Sequence, residues 1–163
     1  MFLDEAGGVH TFNSTITGSI EVRDGRLYAL HSNKIVELNR SGDIVNSISI
    51  PSEATYYINF TALPNGGFAL LDNRNDRMYF IDDSGNYITT VNIKSTRDNH
   101  LQNVHGVVVG NRLILSEDGD KNLLAVDLSD YSFTLFRDFT GLGGNTWLNA
   151  IAYYDGVYYI TLP

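Results

Sequence analysis

No cysteine occurs in the 163 residues, which rules out disulfides, thiolate metal ligands and a cysteine nucleophile. That usage suits the cytosol and the cell envelope alike, with the envelope or exterior favoured. Proline, methionine and tryptophan are scarce, at three, two and one residues. No apolar run approaches the roughly 20 residues that a membrane-spanning helix requires, so membrane insertion is not expected. Basic side chains number 11 against 19 acidic ones, giving a net charge of −8. A surface of that sign repels phosphate backbones and speaks against nucleic acid as a partner. Short catalytic motifs are missing as well: no Gly-x-Ser-x-Gly elbow, His-Glu-x-x-His helix or dinucleotide fingerprict occurs, and no paired-His metal spacing. The opening Met1-Phe2-Leu3-Asp4-Glu5 lacks the basic and apolar regions of a secretory signal. Asn13-Ser14-Thr15 and Asn59-Phe60-Thr61 match the short glycosylation sequon.

What is abundant points to strands. Ten Tyr, eight Phe and fifteen Gly in a chain that is 43% hydrophobic favour pleated sheet and tight turns over helix. Asp24-Gly25, Asn65-Gly66-Gly67, Gly110-Asn111 and Asp155-Gly156 each divide two apolar or β-branched runs, the sequence form of a β-hairpin. Gly25, Gly66, Gly110 and Gly156 stand 41, 44 and 46 residues apart. A second turn series falls between them: Gly8, Gly42 within Asn39-Arg40-Ser41-Gly42-Asp43, and Gly85 within Asp82-Asp83-Ser84-Gly85-Asn86. Asp130-Tyr131 takes the glycine's place in the third unit.

Two hairpin turns per repeat give four strands, here A to D. A period of about 40–45 residues is that of a propeller blade. The predicted architecture is therefore an all-β propeller of four-stranded antiparallel blades filling residues 1–163 as one domain. Three blades are complete, at 17–50, 57–93 and 102–139. The fourth is split, with A and B from 147–163 and C and D from 1–16. Building a last blade from both chain ends removes open sheet edges. A monomeric four-bladed ring and a homodimeric eight-bladed ring both fit this count.

The second unit carries a family likeness. Ala69-Leu70-Leu71-Asp72-Asn73-Arg74-Asn75-Asp76-Arg77-Met78-Tyr79-Phe80-Ile81-Asp82, followed by Ser84-Gly85, resembles an NHL-type repeat. The pattern is an apolar strand ending in Asp, a turn bearing Asn and Arg, an apolar strand, then a Gly turn. The first unit resembles it with a shortened B–C turn, and the third departs from it at Ser116 to Asn122. The resemblance implies a binding or assembly module, with lyases and lactonases as a catalytic minority.

Three amides stand out when the A strands are aligned on their turn glycines. Asn59, Asn103 and Asn149 each lie seven residues before the glycine, with Gly18 in the same place in the first unit. The start of strand A lies near the propeller axis, so these amides are expected around a central site, with His105 two residues beyond Asn103. An alternative is that each amide bonds nearby backbone at a strand entrance. Tyr56, Tyr57 and Trp147 lie in the D–A connections, where loops on a rigid scaffold present binding residues. No catalytic residue is assigned. No cofactor is expected; the alternative is calcium at Asp118-Gly119-Asp120-Lys121-Asn122, which has alternating oxygen ligands but lacks the glycine and the closing acidic ligand of a calcium loop. The functional expectation is a non-catalytic scaffold that binds a protein, peptide or glycan on the D–A face. The alternative is a metal-assisted lyase or lactonase with a central Asn-lined site.

Overall fold

The computed structural model describes residues 2–3, 6, 8–12, 16, 19–54, 57–72, 74–93, 105–117, 121–139, 141, 148 and 150–161. Among them there is no helix. The first blade comprises β3 (Ile20–Arg23), β4 (Arg26–His31), β5 (Lys34–Leu38) and β6 (Ile44–Ser49). The second comprises β7 (Tyr57–Ala62), β8 (Phe68–Asp72), β9 (Arg77–Ile81) and β10 (Tyr87–Asn92). The third comprises β11 (His105–Val109), β12 (Arg112–Glu117), β13 (Asn122–Asp127) and β14 (Phe133–Asp138). Each is a four-stranded antiparallel sheet with its strands side by side in chain order. These are the A to D strands that the turn spacing predicts.

The turns explain why the strands stop where they do. Asp24-Gly25 and Asp155-Gly156 have positive φ at both residues, as a two-residue hairpin matching the strand twist demands. The shortened B–C turn of the first blade, Ser32-Asn33, has the same geometry. Each C–D turn is pinned by a side-chain acceptor. Asn39 Oδ1 accepts the amides of Ser41 and Asp43, and Asp82 Oδ1 accepts those of Ser84 and Asn86. In the third blade Asp127 Oδ1 accepts the amide of Ser129, and Tyr131 takes the left-handed conformation at φ 59°. That strained Tyr is held by its ring, whose centroid lies 4.8 Å from that of Phe80 in the preceding blade.

Alternation along each strand sends one side chain to the preceding blade and the next to the following blade. The interface of the first and second blades buries Tyr28, Leu30, Ile35, Phe60, Phe68, Leu70, Tyr79 and Ile81. That of the second and third buries Ala69, Leu71, Met78, Phe80, Leu113, Leu115 and Val126. The core is thus a stack of apolar layers between sheets.

The chain ends add two half-blades. β1 (Phe2–Leu3) pairs with β2 (Val9–His10), and β15 (Ala150–Tyr154) with β16 (Val157–Thr161). Among the described residues these are two separate two-stranded sheets, an outer and an inner pair of blade strands. β3 packs on β7, β7 on β11 and β11 on β15, so the blades advance around the axis, and β16 does not return to pair with β1 among the described residues.

Candidate functional site

The inner strands enclose a cavity of about 260 Å³ on the axis. Ser19 and Glu21 line it from the first blade, Asn59 and Thr61 from the second, His105 and Gly106 from the third, and Ala150 from β15. Its floor is apolar, formed by Phe60, Leu71, Met78, Leu115 and Ile151.

Strand register shows why these residues meet. The last paired residues of the four inner hairpins are Arg23, Leu63, Val109 and Tyr154. Four residues before each stand Ser19, Asn59, His105 and Ala150, which therefore occupy one level around the axis. Two residues closer to the turn, the next level holds Glu21, Thr61, Val107 and Ala152. Turn glycines do not keep this level, because the turns differ in length. The second blade closes through Pro64-Asn65-Gly66, whereas Gly110 comes immediately after Val109. Asn59 thus shares its level with Ser19, His105 and Ala150. Asn103 and Asn149 lie outside the described residues, as do Tyr56 and Trp147. Tyr57 is the first residue of β7, and His105 is the exposed first residue of β11. Asp118 to Asp120 also lie outside the described residues.

Local contacts fix the lining. Ser19 Oγ accepts the backbone N–H of Phe60 at 3.3 Å, tying the first inner strand to the second. A β-carbon added to Gly106 would stand 2.9 Å from Thr61 Oγ1 and 3.1 Å from both Leu113 Cδ1 and Leu115 Cδ2. Glycine there lets the third blade close on the threonine hydroxyl. The carbonyl of His105 accepts Ser116 Oγ at 3.4 Å.

Glu21 is the group that the sequence reading missed. It pairs in register with Tyr28, half-buried, on the face turned toward the second blade. Burial pushes its carboxyl up to about 7, because no hydrogen bond or ion pair from the described residues offsets the lost hydration. Nothing in the local sequence marks it, since Ile20-Glu21-Val22-Arg23 reads as an ordinary alternating strand. Among the described residues no three His, Asp or Glu side chains come together as a metal site would require. The cavity therefore offers a titratable acceptor, an amide and two hydroxyls above an apolar floor, with an imidazole at the level of its rim.

No family model matches the sequence, and no curated protein matches it by sequence. Solved structures do match in fold. Selenomethionine-substituted virginiamycin B lyase from Staphylococcus aureus superposes with a TM-score of 0.71 at 15% identity, over 98% of this chain and 54% of that one. A streptogramin B lyase gives 0.69 at 16% identity over the same shares. The WD40 domain of Neurospora crassa Pan2 gives 0.51 at 12% identity, over 82% and 39%. The chain spans about half the length of the two lyases. Identities this low speak to fold alone, and that fold is an all-β arrangement of four-stranded blades, similar to β-propellers that include both lyases and a WD40 domain.

Proposed function

We propose that the chain is a propeller binding module whose ligand sits on the axis, in the cavity lined by Ser19, Glu21, Asn59, Thr61 and His105. The observation that carries this reading is the convergence of polar side chains from three separate blades on one concave site. Drug-sized ligands occupy pockets of roughly 300 Å³ and more, so a cavity of about 260 Å³ suits one sugar ring or one peptide side chain. Hydroxyl, amide and carboxyl groups above an apolar floor match a pyranose, which has polar edges and an apolar face. A neutral glycan is the preferred ligand, with a peptide second. Tyr56 and Trp147, with Tyr57 at the start of β7, belong to this proposal as ligand contacts. The NHL-type repeat belongs to it too. Its support is Asp72, buried at the end of β8, whose Oδ1 accepts the amides of Arg74 and Asn75 while Oδ2 accepts Asn75 Nδ2 at 2.8 Å. The test is calorimetric titration with neutral mono- and disaccharides and short peptides. Saturable binding that weakens about tenfold in Thr61→Val, as one lost hydrogen bond predicts, supports the reading. Binding indifferent to Thr61, Asn59 and Glu21 sinks it.

Glu21 favours one second reading. A carboxyl near 7 beside a cavity is suited to take a proton at neutral pH, as an eliminating enzyme requires. The two lyases among the similar folds make elimination the reaction class to assay. Turnover that disappears in Glu21→Gln while the fold is retained distinguishes this reading from simple binding.

A further inference from the structure

A second cavity, of about 330 Å³, opens between the second and third blades on the face that carries the A–B and C–D turns. Leu63, Ile88, Leu128 and Tyr131 give it apolar walls, with Asp82 and Asp83 beside them. Both blades that form it are complete four-stranded sheets, so its walls do not depend on either chain end. The blade repeat is broken three times at this place. The second blade's A–B turn runs through three residues, Pro64-Asn65-Gly66, where the other A–B turns use two. Asp83 follows the acceptor residue of its C–D turn, a place held by Arg40 in the first blade and Leu128 in the third. Tyr131 adopts φ 59° where the other two blades have Gly42 and Gly85. A bulky residue in that conformation is costly, and here it forms a cavity wall. Ile88 is the extra residue of a bulge in β10 and is 46% exposed. Bulges of this kind re-aim a side chain out of the ladder's alternation.

Asp83 is only half engaged. Its Oδ1 accepts Arg23 Nη2 and the Gly67 amide, whereas Oδ2 accepts no hydrogen bond from the described residues. Gly66 keeps that second oxygen open, since a β-carbon there would stand 2.9 Å from it. Asp82 and Asp83 against Arg23 leave a surplus of negative charge beside the apolar walls. A further cavity of about 480 Å³ adjoins, sharing Asn65, Gly66 and Asp83 and adding Asp24 and Arg26. The carboxylate thus stands between an apolar and a polar half of one groove.

We propose that this groove, separate from the axial site, binds a peptide through one lysine side chain. The methylene stem lies against Leu63, Ile88, Leu128 and Tyr131, and the ammonium donates to Asp83 Oδ2. Charge and shape choose this occupant. An apolar cavity with a half-open carboxylate beside it fits a side chain that is apolar along its stem and cationic at its tip. Lysine suits it better than arginine, because one open oxygen serves an ammonium whereas a guanidinium fork requires two. A net charge of −8 draws a basic segment toward the surface. The adjoining polar cavity gives the flanking peptide backbone donors and acceptors, which a free amine would leave unused.

The test is NMR titration of the chain with an end-capped glycine-lysine-glycine tripeptide, and with the same tripeptide carrying norleucine or arginine at its centre. The expected result is saturable shifts at Gly66, Asp83, Ile88 and Tyr131 for the lysine peptide. Norleucine should bind at least about tenfold more weakly, as loss of a charge-assisted hydrogen bond predicts, and arginine more weakly than lysine. Asp83→Asn should bring the lysine peptide down to the norleucine level. Ile88→Ser, at an exposed position that leaves the fold intact, should weaken lysine and norleucine peptides by the same factor. Because the peptide series leaves the protein unaltered, it decides the matter even if Asp83→Asn unfolds. Norleucine binding as tightly as lysine, shifts confined to other residues, or no binding at all overturns the proposal. n-Butylammonium binding as tightly as the lysine peptide overturns the peptide as occupant.

Discussion

Arg23 of the first blade donates from Nη2 to Oδ1 of Asp83 in the second at 2.6 Å, a contact spanning 60 residues of sequence. Nη1 of the same guanidinium donates to the carbonyls of Leu63 and Gly67 at 3.2 and 2.7 Å. Its carbon lies 4.8 Å from the centre of the Phe68 ring and 5.2 Å from that of Tyr28. Asp83 in turn accepts the amide of Gly67 at 2.9 Å. One planar cation therefore ties two blades through their turns and caps the apolar layer beneath.

Arg23→Lys is expected to destabilise by about 2 kcal/mol, because an ammonium cannot reproduce the fork or the ring stacking. Asp83→Asn is expected to cost less, since its carboxylate is largely solvated. Urea denaturation of the two variants checks the ranking, which reverses if the carboxylate carries the junction. The Gly67 amide, followed by Arg23, holds the Asp83 carboxyl below its ordinary value of 3.8. Its stabilisation is present above that value and is lost as pH falls below it.

Glu21 works in the opposite direction. Its folded carboxyl keeps a proton that the unfolded chain has lost, so stability falls as pH rises from 4.5 to about 7 and then levels. Glu21→Gln removes this cost and is expected to gain about 1–2 kcal/mol at pH 8, after allowance for solvent screening of a half-buried group. At pH 4 the variant and the parent should match. Thermal melting across that range checks the sign, and equal melting temperatures at pH 8 would contradict it.

Gly85 has φ +85°, and a β-carbon there would strike the backbone oxygen of Ser49 in the first blade. Gly25, at φ +72°, has open space around it. Gly85→Ala is therefore expected to cost about 1 kcal/mol of backbone strain plus the displacement of one blade against the next, and Gly25→Ala the strain alone. A smaller loss of melting temperature in Gly85→Ala than in Gly25→Ala would rule this out.

Turn chemistry made the blades readable from sequence. Asp24-Gly25 and Asp155-Gly156 announce hairpins because few residues tolerate positive φ, and Asp127 to Tyr131 betrays a turn even without glycine. The axial site was less legible, because counting from glycines assumes turns of equal length. Ser19, Asn59, His105 and Ala150 fall six, seven, five and six residues before their turn glycines, and only backbone pairing reveals the shared level. Asn59 and His105 were readable as axial residues. Glu21 was not, since its chemistry comes from burial against the neighbouring blade and from no local motif. At the chain ends the half-blades themselves were legible, as β1–β2 and β15–β16.

The claim that the axial cavity is the binding site is tested most directly by amide and side-chain NMR of the chain titrated with neutral disaccharides. The account predicts saturable shifts at Ser19, Glu21, Asn59, Thr61, Gly106 and His105, with the outer strands β6, β10 and β14 unmoved. Shifts confined to the outer strands, or none at the axial residues for any ligand that binds, would contradict it.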